Sequence, residues 1–245
     1  MYTGIELGQF LYSLVIVAAA YFVRGVAGFG SGLIAVPLLL IVRLPINVVV
    51  PIVVLLDYVA SASQGLKNRQ AISWRDIWPT LPFMIIGVVA ALAVFHTVDA
   101  RILTRVLAVF LVAFALYQLL VKAPPRHESR LWAVPAGGFG GLVGTLFGTG
   151  GPFYVAYLQL RGLEKTAFRA TFATLFLIDG GNRIAGYVLS GLFDLATLRL
   201  AAMLFPVMAL SLYAGGHVHV KISQATFKRA ISVLLIGSGI VLLTK

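Results

Sequence analysis

The 245-residue chain contains no cysteine and few charged residues. Without cysteine, disulfides, thiolate metal sites and a cysteine nucleophile are all excluded. Only 11% of the residues are charged whereas 60% are hydrophobic, a composition far from that of soluble domains and close to what a lipid bilayer demands. Because long apolar runs cross bilayers as helices, we predict an all-α, polytopic membrane protein.

Histidine is scarce too, with four residues that all lie in or beside predicted loops. His217 and His219 stand two positions apart without nearby carboxylates, which is poor ligand geometry, so we expect no metal and no other cofactor. The net charge of +11 would indicate nucleic-acid binding in a soluble protein. Here the basic residues cluster between apolar runs, so we expect them to set topology against anionic lipid, with no nucleic acid as partner. Residues 1–8 carry no basic residue, so a cleaved signal peptide is not expected.

Ten apolar segments follow one another along the chain. They are residues 8–23, 28–42, 46–66, 77–95, 101–121, 131–147, 150–160, 167–190, 196–215 and 226–244. Most approach the roughly 20 residues that span hydrocarbon. The segments that start at 28 and 150 are too short and follow glycine clusters, so we predict half-helices there. The chain then has about eight helices, if each glycine-broken pair counts once.

The basic residues that flank these segments predict an orientation when each glycine-broken pair is treated as two segments. One face then collects twelve of them: Lys67, Arg69, Arg75, Lys122, Arg126, Arg130, Arg161, Lys165, Arg169, Lys221, Lys228 and Arg229. The other face keeps five: Arg43, Arg101, Arg105, Arg199 and Lys245. The positive-inside rule therefore predicts both termini outside the cytoplasm.

The two halves of the chain resemble each other. "GFGSGLIAVPLL" at Gly28 is echoed 120 residues later by "GTGGPFYVAYL" at Gly148, and "RVLAVFLVAF" at Arg105 is echoed 124 residues later at Arg229. We therefore predict two repeats, residues 1–121 and 131–245, joined by a polar cytoplasmic linker at 122–130. Because each repeat crosses the membrane an odd number of times, the second is inverted. Inverted repeats with short, glycine-interrupted segments in matching positions are typical of secondary transporters.

The glycine clusters break the backbone at membrane depth, where only protein or a water-filled cavity satisfies the freed groups. We predict that Ser31 caps the helix beginning near Gly32, and that Pro152 lies in the first turn of the second half-helix. Both helix starts would attract anions, which favours a substrate-lining role for four glycines. These are Gly28, Gly30, Gly148 and Gly150. The GxxxG spacings from Gly137 to Gly144 favour helix packing instead, and packing is the alternative at the tips as well.

Four ionisable residues lie inside apolar segments: Arg24, Asp57, Asp179 and Arg183. Charges there are costly and need a partner or a purpose. Asp179 and Arg183 are spaced i, i+4, which predicts an ion pair on one helix face. Asp57 and Asp179 are 122 residues apart and are candidates for proton coupling as repeat-related carboxylates. Arg24 directly precedes the first glycine tip and is the best candidate for contacting an anion, with snorkelling to the interface as the alternative.

Hydrogen-bonding side chains occur on segments that would face the tips: Ser61, Ser63, Gln64 and Asn182. They orient oxyanion oxygens or hold helices together, and the sequence favours neither. Catalytic motifs are incomplete, because Phe29 and Leu33 occupy the glycine positions that a nucleophile elbow around Ser31 would need. Neither glycine cluster completes a dinucleotide or Walker motif, so we expect neither an enzyme nor an ATP-driven pump.

At the glycine tips the sequence resembles the TauE/SafE sulfite exporter family. "GFGSGLIAVPLL" and "GTGGPFYVAYL" carry the resemblance, with "LPINVVVP" and "LEKTAFRA" following at similar distances. The resemblance implies a multi-pass permease of the bacterial or archaeal inner membrane for small sulfur-containing anions such as sulfite, thiosulfate or organosulfonates. It implies that six residues line the transport site: Gly28, Gly30, Ser31, Gly148, Gly150 and Gly151.

The expected function is therefore alternating-access transport of a small anionic substrate, with both tips and Arg24 around a midplane site and Asn182 and Arg183 as further binding candidates. Two alternatives stay open. One is a non-transporting assembly or sensory subunit whose glycines are packing seams. The other is a passive anion channel. Partners beyond lipid and substrate, including a second copy in a homo-oligomer, are not fixed by the sequence.

Overall fold

The computed structural model describes residues 6–28, 30–120, 129–218 and 224–244, and only the backbone at 63–68, 165 and 224–228. Ten helices make up most of this part of the chain, and it contains no strand. They are α1 (Leu7–Ala27), α2 (Ser31–Ile41), α3 (Ile46–Gly65), α4 (Trp74–Thr97), α5 (Ala100–Leu120), α6 (Ala133–Phe147), α7 (Gly151–Leu160), α8 (Lys165–Leu189), α9 (Leu195–His217) and α10 (Gln224–Leu243). A 3-10 turn at Trp78–Thr80 interrupts α4.

These helices match the ten predicted segments one to one, which confirms an all-α, polytopic membrane protein. Four of the described helices, α1, α4, α5 and α9, are long and apolar enough to cross a bilayer. By contrast, α2 has 11 residues and α7 has 10. At 1.5 Å per residue each is about 15 Å long, half the thickness of a hydrocarbon core. The two predicted half-helices are therefore present.

Some predictions fall on parts of the chain that lie outside the description. Residues 122–128 of the predicted linker are among them, as are His219, Lys221 and Lys245. The orientation of the termini and the division into two repeats stay predictions. The chain forms two compact units, and neither coincides with a predicted repeat. Unit 1 comprises Met1–Val53, Val98–Ala123 and Asp194–Lys245, and unit 2 comprises Val54–Thr97 and Pro124–Phe193.

Glycines let the main helix pairs of each unit approach closely. In unit 1, α1 packs against α9, where a Cβ on Gly25 or Gly215 would collide with backbone of the partner helix. In unit 2, α6 packs against α4, and a Cβ on Gly137 or Gly141 would collide with backbone carbonyls of α4. Lipid provides no hydrophobic driving force between helices. Small residues therefore stabilise helix contacts by allowing close van der Waals packing of the backbones. The packing role predicted for the GxxxG spacings of α6 is confirmed.

The paired helices also occupy matching places in the chain. The first segment of one half packs against the fourth segment of the other half in both units, as α1 with α9 and as α6 with α4. In unit 1 the fifth segments, α5 and α10, pack against each other. A duplicated chain produces this pattern because equivalent segments have equivalent neighbours. The duplication itself stays a prediction from the sequence.

Because α6 approaches α4 closely, we expect the effect of an alanine substitution in α6 on stability to depend strongly on its position. A Cβ at Gly141 would collide with the carbonyl oxygen of Met84, whereas one at Gly138 meets no described atom within 4 Å. Gly141→Ala should lower the free energy of unfolding by about 1–3 kcal/mol through overpacking, and Gly138→Ala should leave it nearly unchanged. Thermal melting of both purified variants in detergent measures the difference. Equal melting temperatures would contradict the packing described for α6.

A second prediction concerns the start of α9, where Asp194 Oδ1 accepts a hydrogen bond of 2.7 Å from the Thr197 N–H. Hydrogen bonds from the Thr197 side chain and backbone lower the pKa of the Asp194 carboxyl. Asp194→Ala should cost about 1 kcal/mol of stability at pH 7, and Asp194→Asn less. Because the pKa of Asp194 is lower in the folded state, its ionisation stabilises the fold at pH values above its unfolded-state pKa of about 3.9. This stabilisation is lost as the pH falls through the folded-state pKa. The difference in melting temperature between wild type and Asp194→Ala should therefore shrink below about pH 4, and a constant difference would contradict this.

Candidate functional site

The first glycine tip joins α1 to α2 in unit 1 through two left-handed glycines. Gly28 has φ 86° and its N–H donates to the Arg24 carbonyl at 2.6 Å, which closes the end of α1. Gly30 has φ 98° and is the N-cap of α2. Other residues are strained in this conformation, so the backbone path itself requires glycine. A Cβ on either residue meets no described atom within 4 Å, so the space beside the tip is open.

The prediction that Ser31 caps α2 is wrong. Ser31 is the first residue of the helix, and Gly30 takes the cap position without a side-chain hydrogen bond. The Ser31 hydroxyl instead accepts a hydrogen bond of 2.9 Å from Arg24 Nη1. Both side chains are buried, with Arg24 only 3% exposed, so Arg24 does not snorkel to an interface. Unit 1 therefore holds a buried guanidinium directly beside the first residue of α2.

The second glycine tip joins α6 to α7 in unit 2 and ends its first helix in the same way. Gly148 has φ 66°, and its N–H donates to the Gly144 carbonyl at 2.8 Å. Pro152 lies in the first turn of α7, as predicted. Gly150 differs from its counterpart Gly30, because its φ is −69° and a Cβ there would collide with the Gly140 carbonyl. Position 150 therefore requires glycine because a side chain would collide with the backbone of α6, against which this tip packs.

Arg183 of α8 fills the space over this second tip. It is 1% exposed and forms the predicted i, i+4 ion pair with Asp179, which is also buried. Its Nη2 donates to the Gly140 carbonyl at 3.3 Å and would lie 2.6 Å from a Cβ on Gly150. A Cβ on Gly144 would overlap the guanidinium. The guanidinium carbon lies 5.8 Å from the centre of the Phe176 ring, within the range of a cation–π contact.

The arginines at the two tips reach them by different routes. Gly144 is the residue 120 positions after Arg24, and the two occupy the same place relative to the glycine that ends each helix. In unit 1 the guanidinium comes from the first helix of the pair itself. In unit 2 that position is Gly144. The guanidinium of Arg183 on α8 occupies the space that a Gly144 side chain would fill. Each tip thus has one buried arginine, which the motif alone does not reveal.

Two buried hydroxyl groups near the second tip were not predicted from the sequence. Among the described residues, the hydroxyls of Thr149 and Tyr154 have no hydrogen-bond partner, and neither do Arg183 Nε and Asp179 Oδ1. The Tyr154 ring lies against Gly140, so it shares the neighbourhood of the guanidinium. Each such buried group costs about 1–3 kcal/mol when unsatisfied. Buried polar atoms of this kind require polar partners rather than apolar ones.

The remaining predicted site residues lie on α3 and α8 in unit 2. Asp57 is buried. Its neighbour Tyr58 packs against Gly180, next to Asp179, so α3 and α8 approach at residues 122 positions apart. Asn182 Nδ2 donates to the Met84 sulfur of α4 at 3.7 Å. That contact favours the helix-joining interpretation for Asn182.

Two half-helices that start at glycine tips, each beside a buried arginine, define a helical membrane protein of the transporter class. The chain belongs to the TauE/SafE sulfite exporter family, whose model matches residues 12–242. It is 28% identical over 191 residues to a probable inner membrane transporter protein TsaS of Comamonas testosteroni, covering 77% of this chain and 80% of that protein. It is 27% identical over 228 residues to a probable sulfite/organosulfonate exporter TauE of Cupriavidus necator, covering 91% and 88%. No solved structure gave a significant match.

The buried ion pair predicts strongly non-additive substitutions. Asp179→Leu or Arg183→Met alone leaves an uncompensated buried charge and should cost about 3–5 kcal/mol of stability. The double variant Asp179→Leu, Arg183→Met removes both charges and should be more stable than either single variant. Melting temperatures of the four proteins in detergent complete the double-mutant cycle. If the two single effects simply add, the pair is not coupled.

Proposed function

We propose that the protein is a secondary transporter that moves small sulfur-containing anions, such as sulfite, thiosulfate or organosulfonates, by alternating access. The observation that carries the proposal is the first tip, where buried Arg24 lies beside the first residue of α2 and a Cβ on Gly28 or Gly30 would meet no described atom within 4 Å. A guanidinium offers paired N–H donors to an oxyanion, and a helix N-terminus adds free N–H groups and a positive dipole end. The names of two relatives, an inner membrane transporter and a sulfite/organosulfonate exporter, support the same class of cargo.

The proposed binding residues in unit 1 are Arg24, Gly28, Gly30 and Ser31. In unit 2 they are Gly148, Gly150, Gly151 and Arg183, to which we add Thr149 and Tyr154 for their unsatisfied hydroxyls. The idea that both tips serve a single midplane site stays a prediction from the sequence. Sulfite and sulfonates present three oxygens in a small volume, which suits donors arranged around one tip.

The second tip also supports a proposal for coupling. Arg183 is paired with Asp179, so an anion that binds this guanidinium must compete with the carboxylate. Protonation of Asp179 removes that competition, because a neutral carboxyl no longer neutralises the arginine. We therefore propose that anion and proton bind together at this tip, with Asp57 as the second candidate carboxylate.

Flux measurements in reconstituted vesicles test the proposal. Labelled sulfite, thiosulfate and a sulfonate should cross vesicles containing the protein with saturable kinetics, and an imposed pH gradient should change the rate. Arg24→Gln should slow the flux about 10- to 100-fold, which corresponds to losing one or two charge-assisted hydrogen bonds. Gly30→Ala should also slow it, because alanine is strained at φ 98°.

Matched controls are available in the same unit. Arg199→Gln removes an exposed arginine of α9, and Gly216→Ala adds a Cβ that meets no described atom within 4 Å. Both should keep wild-type flux. Flux no greater than in empty vesicles would favour the assembly or sensory subunit, and flux without saturation would favour the channel. Unchanged flux in Arg24→Gln would refute the proposed site.

A further inference from the structure

A cavity of about 270 Å³ lies in unit 1 beside the first turns of α5. Its polar lining consists of Arg101, Thr104 and Arg105 of α5. Its apolar lining includes Leu40 at the end of α2, Leu44 in the following loop and Leu242 near the end of α10. The cavity is therefore amphipathic, with two guanidinium groups on one side and leucine side chains on the other.

The two arginines at this cavity lack a structural explanation within the described part of the chain. Arg101 and Arg105 are spaced i, i+4 on one helix face, where like charges destabilise a helix by about 0.2–0.5 kcal/mol. Neither side chain has an ion pair among the described residues. The nearest acidic residue in the sequence, Asp99, accepts from the Arg101 backbone N–H at 2.7 Å and so caps the start of α5. Two exposed cations at one cavity form a place for an anionic group.

Exposed aliphatic side chains of α5 lie next to the two arginines of this cavity. Ile102 and Val106 directly follow the two arginines, and they are 53% and 49% exposed. Large exposed aliphatic side chains on a membrane helix face hydrocarbon. Arg101 and Arg105 lie within the first six residues of α5, which span about 9 Å. That distance is comparable to the thickness of the headgroup region on one side of a bilayer.

We propose that this cavity binds an anionic phospholipid, with the phosphate held by Arg101 and Arg105 and an acyl chain lying against Leu40 and Leu242. Guanidinium groups bind phosphate oxygens in pairs, and Arg is preferred where such planar recognition matters. A freely soluble oxyanion has the same charge but does not need the apolar wall. A phospholipid can contact both the arginines and the leucines of the cavity, whereas the proposed transported anion can contact only the arginines. This site is separate in residues from the proposed transport site.

Thermal melting of the purified protein in neutral detergent tests the proposal. Added phosphatidylglycerol should raise the melting temperature by several degrees, whereas phosphatidylcholine, inorganic phosphate and sulfite at equal concentration should not. The variant Arg101→Gln, Arg105→Gln should lose the phosphatidylglycerol shift. Arg199→Gln, which removes an exposed arginine elsewhere in unit 1, should keep it. Native mass spectrometry should find a retained phosphatidylglycerol on wild type and not on the double variant.

The outcomes separate lipid from soluble anion. A phosphatidylglycerol shift that persists in the double variant overturns the proposal. An equal shift with inorganic phosphate or sulfite would also overturn it and would make the cavity a binding place for soluble anions. If the double variant does not fold, Arg101→Gln and Arg105→Gln give the same comparison singly, and each should reduce the shift. Melting temperature and lipid retention do not depend on transport, so they test the lipid site independently of the flux measurements.

Discussion

In hydrocarbon every backbone N–H and carbonyl that leaves a helix must find another partner, and the two glycine tips meet this constraint in the same way. At each tip a left-handed glycine donates its N–H to the carbonyl four residues earlier, from Gly28 to Arg24 and from Gly148 to Gly144. The chain can then turn within three or four residues and begin a new helix. The first N–H groups of each short helix have no partner within that helix.

A buried arginine near a helix start is costly unless something neutralises it or binds to it. The second tip neutralises its arginine internally, through Asp179, and packs glycines around the guanidinium. At the first tip a Cβ on Gly28 or Gly30 would meet no described atom within 4 Å, and the bonds of Arg24 include one from Nη1 to the Ser31 hydroxyl. The same sequence motif therefore supports two different local environments. The glycine at 150 is required by close contact, whereas the glycine at 30 is required by its φ angle.

Much of the fold could be predicted because it depends on properties visible along the chain. The apolar runs predicted all ten helices, and the glycine clusters predicted where α1 and α6 end. The role of Ser31 could not be predicted, because a left-handed Gly30 takes the cap position and Arg24 reaches the hydroxyl only in the folded chain. The direction of Asn182 depends on which helix lies beside α8. The hydroxyls of Thr149 and Tyr154 carried no signal beyond their place in the second motif.

The division into compact units was also hidden in the sequence, and the reason follows from the predicted duplication. Each half contributes its fourth helix to the unit that holds the first helix of the other half, so a unit contains no continuous repeat. Tyr58 packs against Gly180, residues separated by 122 positions like Asp57 and Asp179. Equivalent residues contact each other where a two-fold relation brings duplicated elements face to face. Such a contact can arise whether the two-fold axis lies in the membrane plane or along the membrane normal, so the inversion stays a prediction from the sequence.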